Sequence, residues 1–211
     1  FKLAQVLMQN GEHLSAAEEL RRIISQDGRR HEWWTLLARC YRNSERWEDA
    51  LETVEKAIKM GGDPAELDAL HRETGFLRAK SLDSAGDSDA ALRVLKSEFA
   101  DREDFVPAHL LWARILEKQD RGEDAAEHLE KCYARSGVPL FLPSIEDLWI
   151  KRHEPNRMIR LYRKAVAEHP ESLTVRMLFS NLLLRLGLID ESLDQLHELE
   201  ESGSVTPLDA H

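Results

Sequence analysis

Cysteine is scarce in this chain. Cys40 and Cys132 are the only two in 211 residues. They cannot build the disulfide framework of a small secreted domain. Each falls on an apolar helical face, so both read as small buried hydrophobes in a reducing compartment. Proline and glycine are also few, seven and ten, which leaves room for long helices. No apolar run approaches the ~20 residues that a membrane-spanning helix requires, and no secretory leader opens the chain. Cations are in deficit, with 29 Lys and Arg against 39 Asp and Glu and a net charge of −10. That balance argues against nucleic acid as a partner, because phosphate binding needs clustered Lys and Arg. It fits a soluble protein, which the reduced cysteines lead us to expect in the cytoplasm. The opening at Phe1, inside an apolar-periodic pattern, leads us to expect a piece of a longer protein.

The signatures of chemistry are missing too. There is no glycine-rich phosphate loop, no Gly-x-Ser-x-Gly turn and no nucleophile beside a plausible base. Nine histidines are scattered along the chain, with no His-x-x-x-His or Cys-x-x-Cys pair. We therefore expect no metal site, no cofactor and no catalytic residue. Carboxylates sit beside Lys and Arg on solvated helix faces, where pairing four residues apart explains them. The expectation is a protein that is not an enzyme.

What is present is periodicity. Trp33 to Met60 reads as two short amphipathic helices around a polar turn, Asn43-Ser44-Glu45. Trp34, Leu37, Ala38 and Tyr41 share one face of the first helix, and Trp47, Ala50, Leu51, Val54, Ala57 and Ile58 share one face of the second. Such a hairpin cannot bury its apolar face alone and needs neighbours of its own kind. They follow in register. A small or compact residue marks each second helix at Ala16, Ala50, Ala91, Ala125, Met158 and Ser192. Four residues past each marker stands Leu20, Val54, Leu95, Leu129, Tyr162 or Leu196. Nine residues before it stands Leu7, Tyr41, Leu82, Leu116, Trp149 or Leu183.

A helix–turn–helix unit recurring about every 34 residues resembles the tetratricopeptide repeat (TPR) family. Trp34, Leu37, Ala38, Tyr41, Ala50, Val54 and Ala57 carry the likeness in the second repeat, and Tyr162, Ala165 and Pro170 in the fifth. The resemblance implies an all-α fold, a right-handed superhelical solenoid of antiparallel helix pairs, with about six repeats in a single domain, 1–211. We place them at 1–30, 31–63, 64–105, 106–138, 139–172 and 173–204, with Val205-Thr206-Pro207-Leu208 opening a truncated seventh. Met158 and Ser192 depart from the small marker, and Gly122 and Pro155 from the aromatic seen at Trp47. Those repeats should pack less regularly.

Local details refine this outline. Asn10-Gly11, Gly86-Asp87 and Leu186-Gly187 are turns that end first helices, and Asp87, Asp120 and Asp190 can cap the second ones. The third repeat carries seven extra residues, and Pro64 opens a helix to about Ala85 that is expected to project beyond the stack. Pro139 and Pro143 predict a kink or loop before Ser144, which is expected to cap the next helix.

A stack of this kind has a concave face lined by its first helices. Counting back from the markers places Arg39, Arg42, Asn43, Lys80, Arg114, Lys118, Lys151, Asn181 and Arg185 along it. Ordinary solvated charge is one reading of this column. The functional reading is a groove for a protein or peptide segment carrying carboxylates, which arginine grips with two parallel bonds. The exposed ends of the stack predict self-association.

A closer resemblance rests on ERWEDALETVEKAIKMGGD, the overlong third repeat and FVPAHLLWARILEKQDRGEDAAEHLEKCY. Together they are similar to the cytoplasmic repeat region of the bacterial lipopolysaccharide assembly protein B family. That family carries a membrane anchor before the repeats and a four-cysteine, rubredoxin-like motif after them. It recruits or restrains a membrane protease that degrades the first committed enzyme of lipid A synthesis. The resemblance implies an adaptor in lipopolysaccharide synthesis, facing the cytoplasm from the inner membrane. The competing expectation is an accessory repeat module of a larger enzyme whose catalytic domain lies outside this chain.

Overall fold

The apolar periodicity of the chain becomes helix after helix. A computed structural model describes residues 1–201, and among them there are helices and no strands. The 205–208 segment expected to open a seventh repeat lies outside the described residues. The chain divides into two compact halves, Phe1–Arg102 and Glu103–His211. The N-terminal half holds α1 (Lys2–Gln9), α2 (His13–Gln26), α3 (His31–Asn43), α4 (Trp47–Lys59), α5 (Pro64–Ser84) and α6 (Ser88–Phe99). The C-terminal half holds α7 (Val106–Lys118), α8 (Gly122–Ser136), a 3₁₀ turn (Pro139–Phe141), α9 (Leu142–Lys151), α10 (Pro155–Glu168), α11 (Leu173–Arg185) and α12 (Ile189–Glu201). Odd-numbered helices are the first of each pair and even-numbered helices the second. Both halves are all-α stacks of helical hairpins.

The marker column explains why the pairs close. Ala16, Ala50, Ala91, Ala125, Met158 and Ser192 are all 0% exposed. Four residues on, Leu20, Val54, Leu95, Leu129 and Tyr162 are equally buried, while Leu196 of the last repeat is 39% exposed. Full burial of each large apolar side chain contributes about 1.5–3 kcal/mol. In the N-terminal half Leu20, Leu37, Tyr41 and Ala50 form one apolar cluster, and Val54, Ala57, Leu67 and Leu70 another. In the C-terminal half Phe141, Trp149, Tyr162 and Phe179 supply the bulk, with Tyr162 and Phe179 stacked at 5.5 Å.

Each hairpin turns through one residue with positive φ: Gly11, Glu45, Gly86, Asp120, His153 and Gly187. Three of the six are not glycine. Asp120 therefore does not cap α8 as expected; it occupies the left-handed position one residue earlier, and α8 has no side-chain cap. Asp87 does cap α6, accepting from the Ala90 N–H at 2.9 Å. Asp190 lies inside the first turn of α12.

Two further expectations are corrected. The 21-residue α5 is capped by Asp63 and begins at Pro64, but its extra turns do not stand free. Glu66 takes Arg39 of α3, and Asp68 takes Arg102 at 2.8 Å. The loop before Ser144 is shorter than expected, because α9 starts at Leu142 with Pro143 in its first turn. Proline is tolerated there, where its missing N–H would have no helical partner. Phe141 and Leu142, both 0% exposed, anchor that start, so Ser144 lies within the helix rather than at its cap.

Candidate partner-binding surface

First helices one repeat apart are joined by charge. In the N-terminal half, Arg39 Nη2 donates to Glu66 Oε1 at 2.7 Å and Arg42 Nη1 donates to Glu73 Oε2 at 2.5 Å. Arg42 Nε also donates to Asn43 Oδ1 at 3.2 Å. Arg39, Arg42 and Asn43 thus share the face of α3 that looks toward α5. Lys80 is exposed on α5, two turns beyond Glu73. In the C-terminal half, Lys151 Nζ of α9 donates to Glu117 Oε1 of α7 at 2.6 Å, and that pairing holds the ammonium above its ordinary range. Arg185 of α11 pairs with Glu146 of α9. Arg114 and Lys118 are exposed on α7, and Asn181 on α11.

Sequence reasoning found these cations but not their carboxylates. Glu66, Glu73, Glu117 and Glu146 are the partners it missed, and Glu117 stands one repeat length, 34 residues, before Lys151. Glu66 and Glu73 keep 44% and 56% of their side-chain surface exposed. Ion pairs so open to water contribute about 0–1 kcal/mol. An incoming carboxylate can replace either one with little loss.

Beside Lys151 lies a cleft of about 220 Å³ between α7 and α9. Leu110, Ala113 and Leu148 give it an apolar lining, and Arg114, Asp147 and Lys151 stand around it. It offers a seat for one apolar side chain flanked by charge. A larger groove of about 540 Å³ in the N-terminal half is lined from α2, α3 and α4. There Arg46 lies 5.0 Å from the Tyr41 ring centre and Lys56 5.8 Å from that of Trp34. The column of first-helix cations gave no signal for this groove.

A buried network links α9, α10 and α11. Tyr162 Oη donates to Glu146 Oε2 at 3.0 Å, and the other Glu146 oxygen takes Arg185. Burial raises the Glu146 carboxyl above its ordinary value, against the opposing effects of the Tyr162 hydroxyl and Arg185. Arg185 therefore serves the core as well as the surface.

No metal site was expected from the histidine spacing, yet the fold brings His109, His128 and Cys132 together, their ligand atoms all within 4.8 Å of one another. His128 and Cys132 are four apart on α8, a His-x-x-x-Cys pair readable in the sequence. His109 arrives from α7, 19 residues earlier. Burial, then the neighbouring His109 and Lys131 charges, pushes His128 down to about 4, so its imidazole is neutral near pH 7. Burial chiefly, then Glu103, raises the Cys132 thiol to about 11.

Comparison with known proteins follows the same outline. No curated protein sequence matches the chain. Among solved structures, the C-terminal part of a TPR repeat-containing protein from Cytophaga hutchinsonii aligns over 96% of this chain and 80% of its own, at 13% identity and a TM-score of 0.51. A thermophilic TPR protein of Thermus thermophilus aligns over 87% and 96%, at 19% identity and a TM-score of 0.40. YrrB, described as a TPR protein with an unusual peptide-binding site, aligns over 82% and 87%, at 14% identity and a TM-score of 0.42. No helix among the described residues is long and apolar enough to cross a membrane. Two family profiles described as tetratricopeptide repeat match residues 3–73 and 76–137, together more than half of the sequence. The chain belongs to the tetratricopeptide repeat family.

Proposed function

We propose that this chain is a non-enzymatic interaction scaffold whose first-helix surfaces hold a carboxylate-bearing segment of a partner protein. The observation that supports the reading is the set of exposed, exchangeable pairs, Arg39–Glu66, Arg42–Glu73 and Lys151–Glu117, the last beside a cleft with an apolar lining. Each pair keeps a cation in place without neutralising it deeply, and a partner's Asp or Glu gains what the resident Glu gives up. Selection of peptides from a random library on the full chain tests this. Acidic peptides with an interspersed apolar residue are expected. Reversing Arg39 and Arg114 to Glu should weaken them by roughly tenfold or more and flatten their salt dependence, since a charge-assisted bond contributes about 1.5–3 kcal/mol. Selected peptides without acidic residues, or affinity unchanged in the reversed variant, would overturn the site.

The finer assignment is an adaptor that regulates lipopolysaccharide synthesis through a membrane protease. Its support is the sequence resemblance of 45–63 and 105–133 and the long α5. A membrane helix encoded before Phe1 and two Cys-x-x-Cys pairs after His211 would favour it. A catalytic domain in either place would favour an accessory module of an enzyme.

A further inference from the structure

In the C-terminal half three donor atoms converge on one point. His128 Nε2 lies 3.1 Å from His109 Nδ1 and 3.8 Å from Cys132 Sγ. His109 is 1% exposed and Cys132 3%, while His128 is half-buried and leaves a path from solvent. The Trp112 ring packs on His128 at 4.3 Å between centroids, and Phe141 meets His109 edge-on at 6.1 Å. These contacts hold both imidazoles in place. His128 Nε2 is within reach of both the second ring and the thiol. A single cation can take all three.

We propose that His109, His128 and Cys132 form a Zn²⁺ site joining the two helices of the fourth repeat. The distances suit the ion. Tetrahedral Zn²⁺ with bonds of about 2.05 Å to nitrogen and 2.3 Å to sulfur places N···N near ~3.3 Å and N···S near ~3.6 Å. The two edges through His128 already lie close to those values. The third, His109 to Cys132, lies within 4.8 Å and shortens when the ion is bound. Two imidazoles and a thiolate select a borderline-to-soft cation and discriminate against Mg²⁺ and Ca²⁺, which want oxygen. On binding, the metal takes the place of the thiol proton, which leaves to solvent. The fourth position falls to water.

The test uses the full chain, Zn²⁺ in competition with a chromophoric chelator, and Co²⁺ as a spectroscopic stand-in. One ion per chain is expected, with a rise in melting temperature and, for Co²⁺, a sulfur-to-metal charge-transfer band. Cys132→Ala should abolish that band, whereas Cys40→Ala, in the other half of the chain, should leave it unchanged. His128→Gln should weaken Zn²⁺ by more than the roughly 10–100-fold that loss of an outer partner causes. If Cys132→Ala loses its helical circular dichroism, His128→Gln decides the matter, because its half-buried side chain can change without opening the core. Binding without the charge-transfer band, a band that survives Cys132→Ala, or Zn²⁺ affinity unchanged in His128→Gln would overturn the site.

Discussion

The two halves satisfy most of their buried polar groups in different ways, although in the N-terminal half Ser88 of α6 donates to the buried Asp83 of α5 at 3.0 Å. In the N-terminal half the hydroxyls of Thr35, Thr53 and Thr74 donate to the carbonyl four residues back in their own helix, at 3.1, 2.6 and 2.7 Å. In the C-terminal half the bonds cross between helices. Tyr162 reaches Glu146 at 3.0 Å, Ser180 and Ser192 face each other at 2.7 Å, and Arg176 pairs with Glu198. The contrast is clearest between the N-terminal half and the fifth and sixth repeats; in the fourth, marked by Ala125, His109 of α7 meets His128 of α8 at 3.1 Å. Where the marker is Ala16, Ala50 or Ala91, helices approach closely through apolar contact, and the buried threonine hydroxyls are satisfied locally. Where it is Met158 or Ser192, polar partners on facing helices help to set the register. A bond that closes within one helix survives a shift of its neighbour; one that spans two helices does not.

The sharpest way to break this comparison is to exchange the markers. Met158 and Ala50 occupy equivalent positions and both are 0% exposed. Met158→Ala should open a cavity and destabilise by about 2–5 kcal/mol. Ala50→Met should overpack α3 against α4 and destabilise by about 1–3 kcal/mol. Urea unfolding followed by tryptophan fluorescence reads both, in variants that keep only Trp112 and Trp149 of one half or only Trp33, Trp34 and Trp47 of the other. A Met158→Ala variant within ~0.5 kcal/mol of the parent would mean that the fifth repeat does not rely on its marker.

The cross-helix network gives the next effect. Glu146→Ala strands the Tyr162 hydroxyl and should destabilise by about 1–3 kcal/mol, whereas Thr74→Val in the other half should stay within about 1 kcal/mol. Equal losses at the two sites would dissolve the contrast. Proton linkage supplies an independent check. Burial holds the Glu146 carboxyl above its ordinary 4.5 in the folded state. Its contribution to stability is therefore fully present below the unfolded value and is lost as pH rises through the folded one. Glu146→Gln keeps the shape and removes the titration. It should be better tolerated, relative to the parent, near ~pH 7 than near ~pH 4.

How much of this was legible in the sequence depends on whether a feature repeats. The six markers share one register, and their burial follows from helix geometry and apolar period alone. The cations of the candidate surface were legible as a column for the same reason. Their partners were not, because Arg39, Arg42 and Arg185 find carboxylates 27, 31 and 39 residues away, at no common offset. Those offsets are decided by how neighbouring first helices are displaced along one another. The His128-x-x-x-Cys132 pair was readable by its spacing of four, but His109 joins it only once α7 and α8 close as a hairpin. The overlong α5 was legible as a helix, and its charged anchorage to Arg39 and Arg102 was not.

The smallest effect probes a feature that both halves share. Glu45, Asp120 and His153 take φ near 58–59°, at the hairpin position where Gly11, Gly86 and Gly187 sit. A side chain in that region brings Cβ too close to the carbonyl oxygen, at about 1 kcal/mol or more. Asp and His tolerate the conformation better than Glu does. Replacement by glycine relieves the strain but raises the entropy of the unfolded chain, so the net gain should be about 0.5–1 kcal/mol. Glu45→Gly, in the N-terminal half, should gain most, and Asp120→Gly and His153→Gly less. The converse substitutions isolate the backbone contribution. A Cβ added at Gly11 or Gly187 meets nothing within 4 Å, so any loss in Gly11→Ala or Gly187→Ala comes from φ and not from crowding. Losses in the two halves should therefore agree within ~0.5 kcal/mol. A loss confined to Gly187→Ala would show that the turns of the C-terminal half, like its buried polar groups, depend on neighbours that those of the N-terminal half do without.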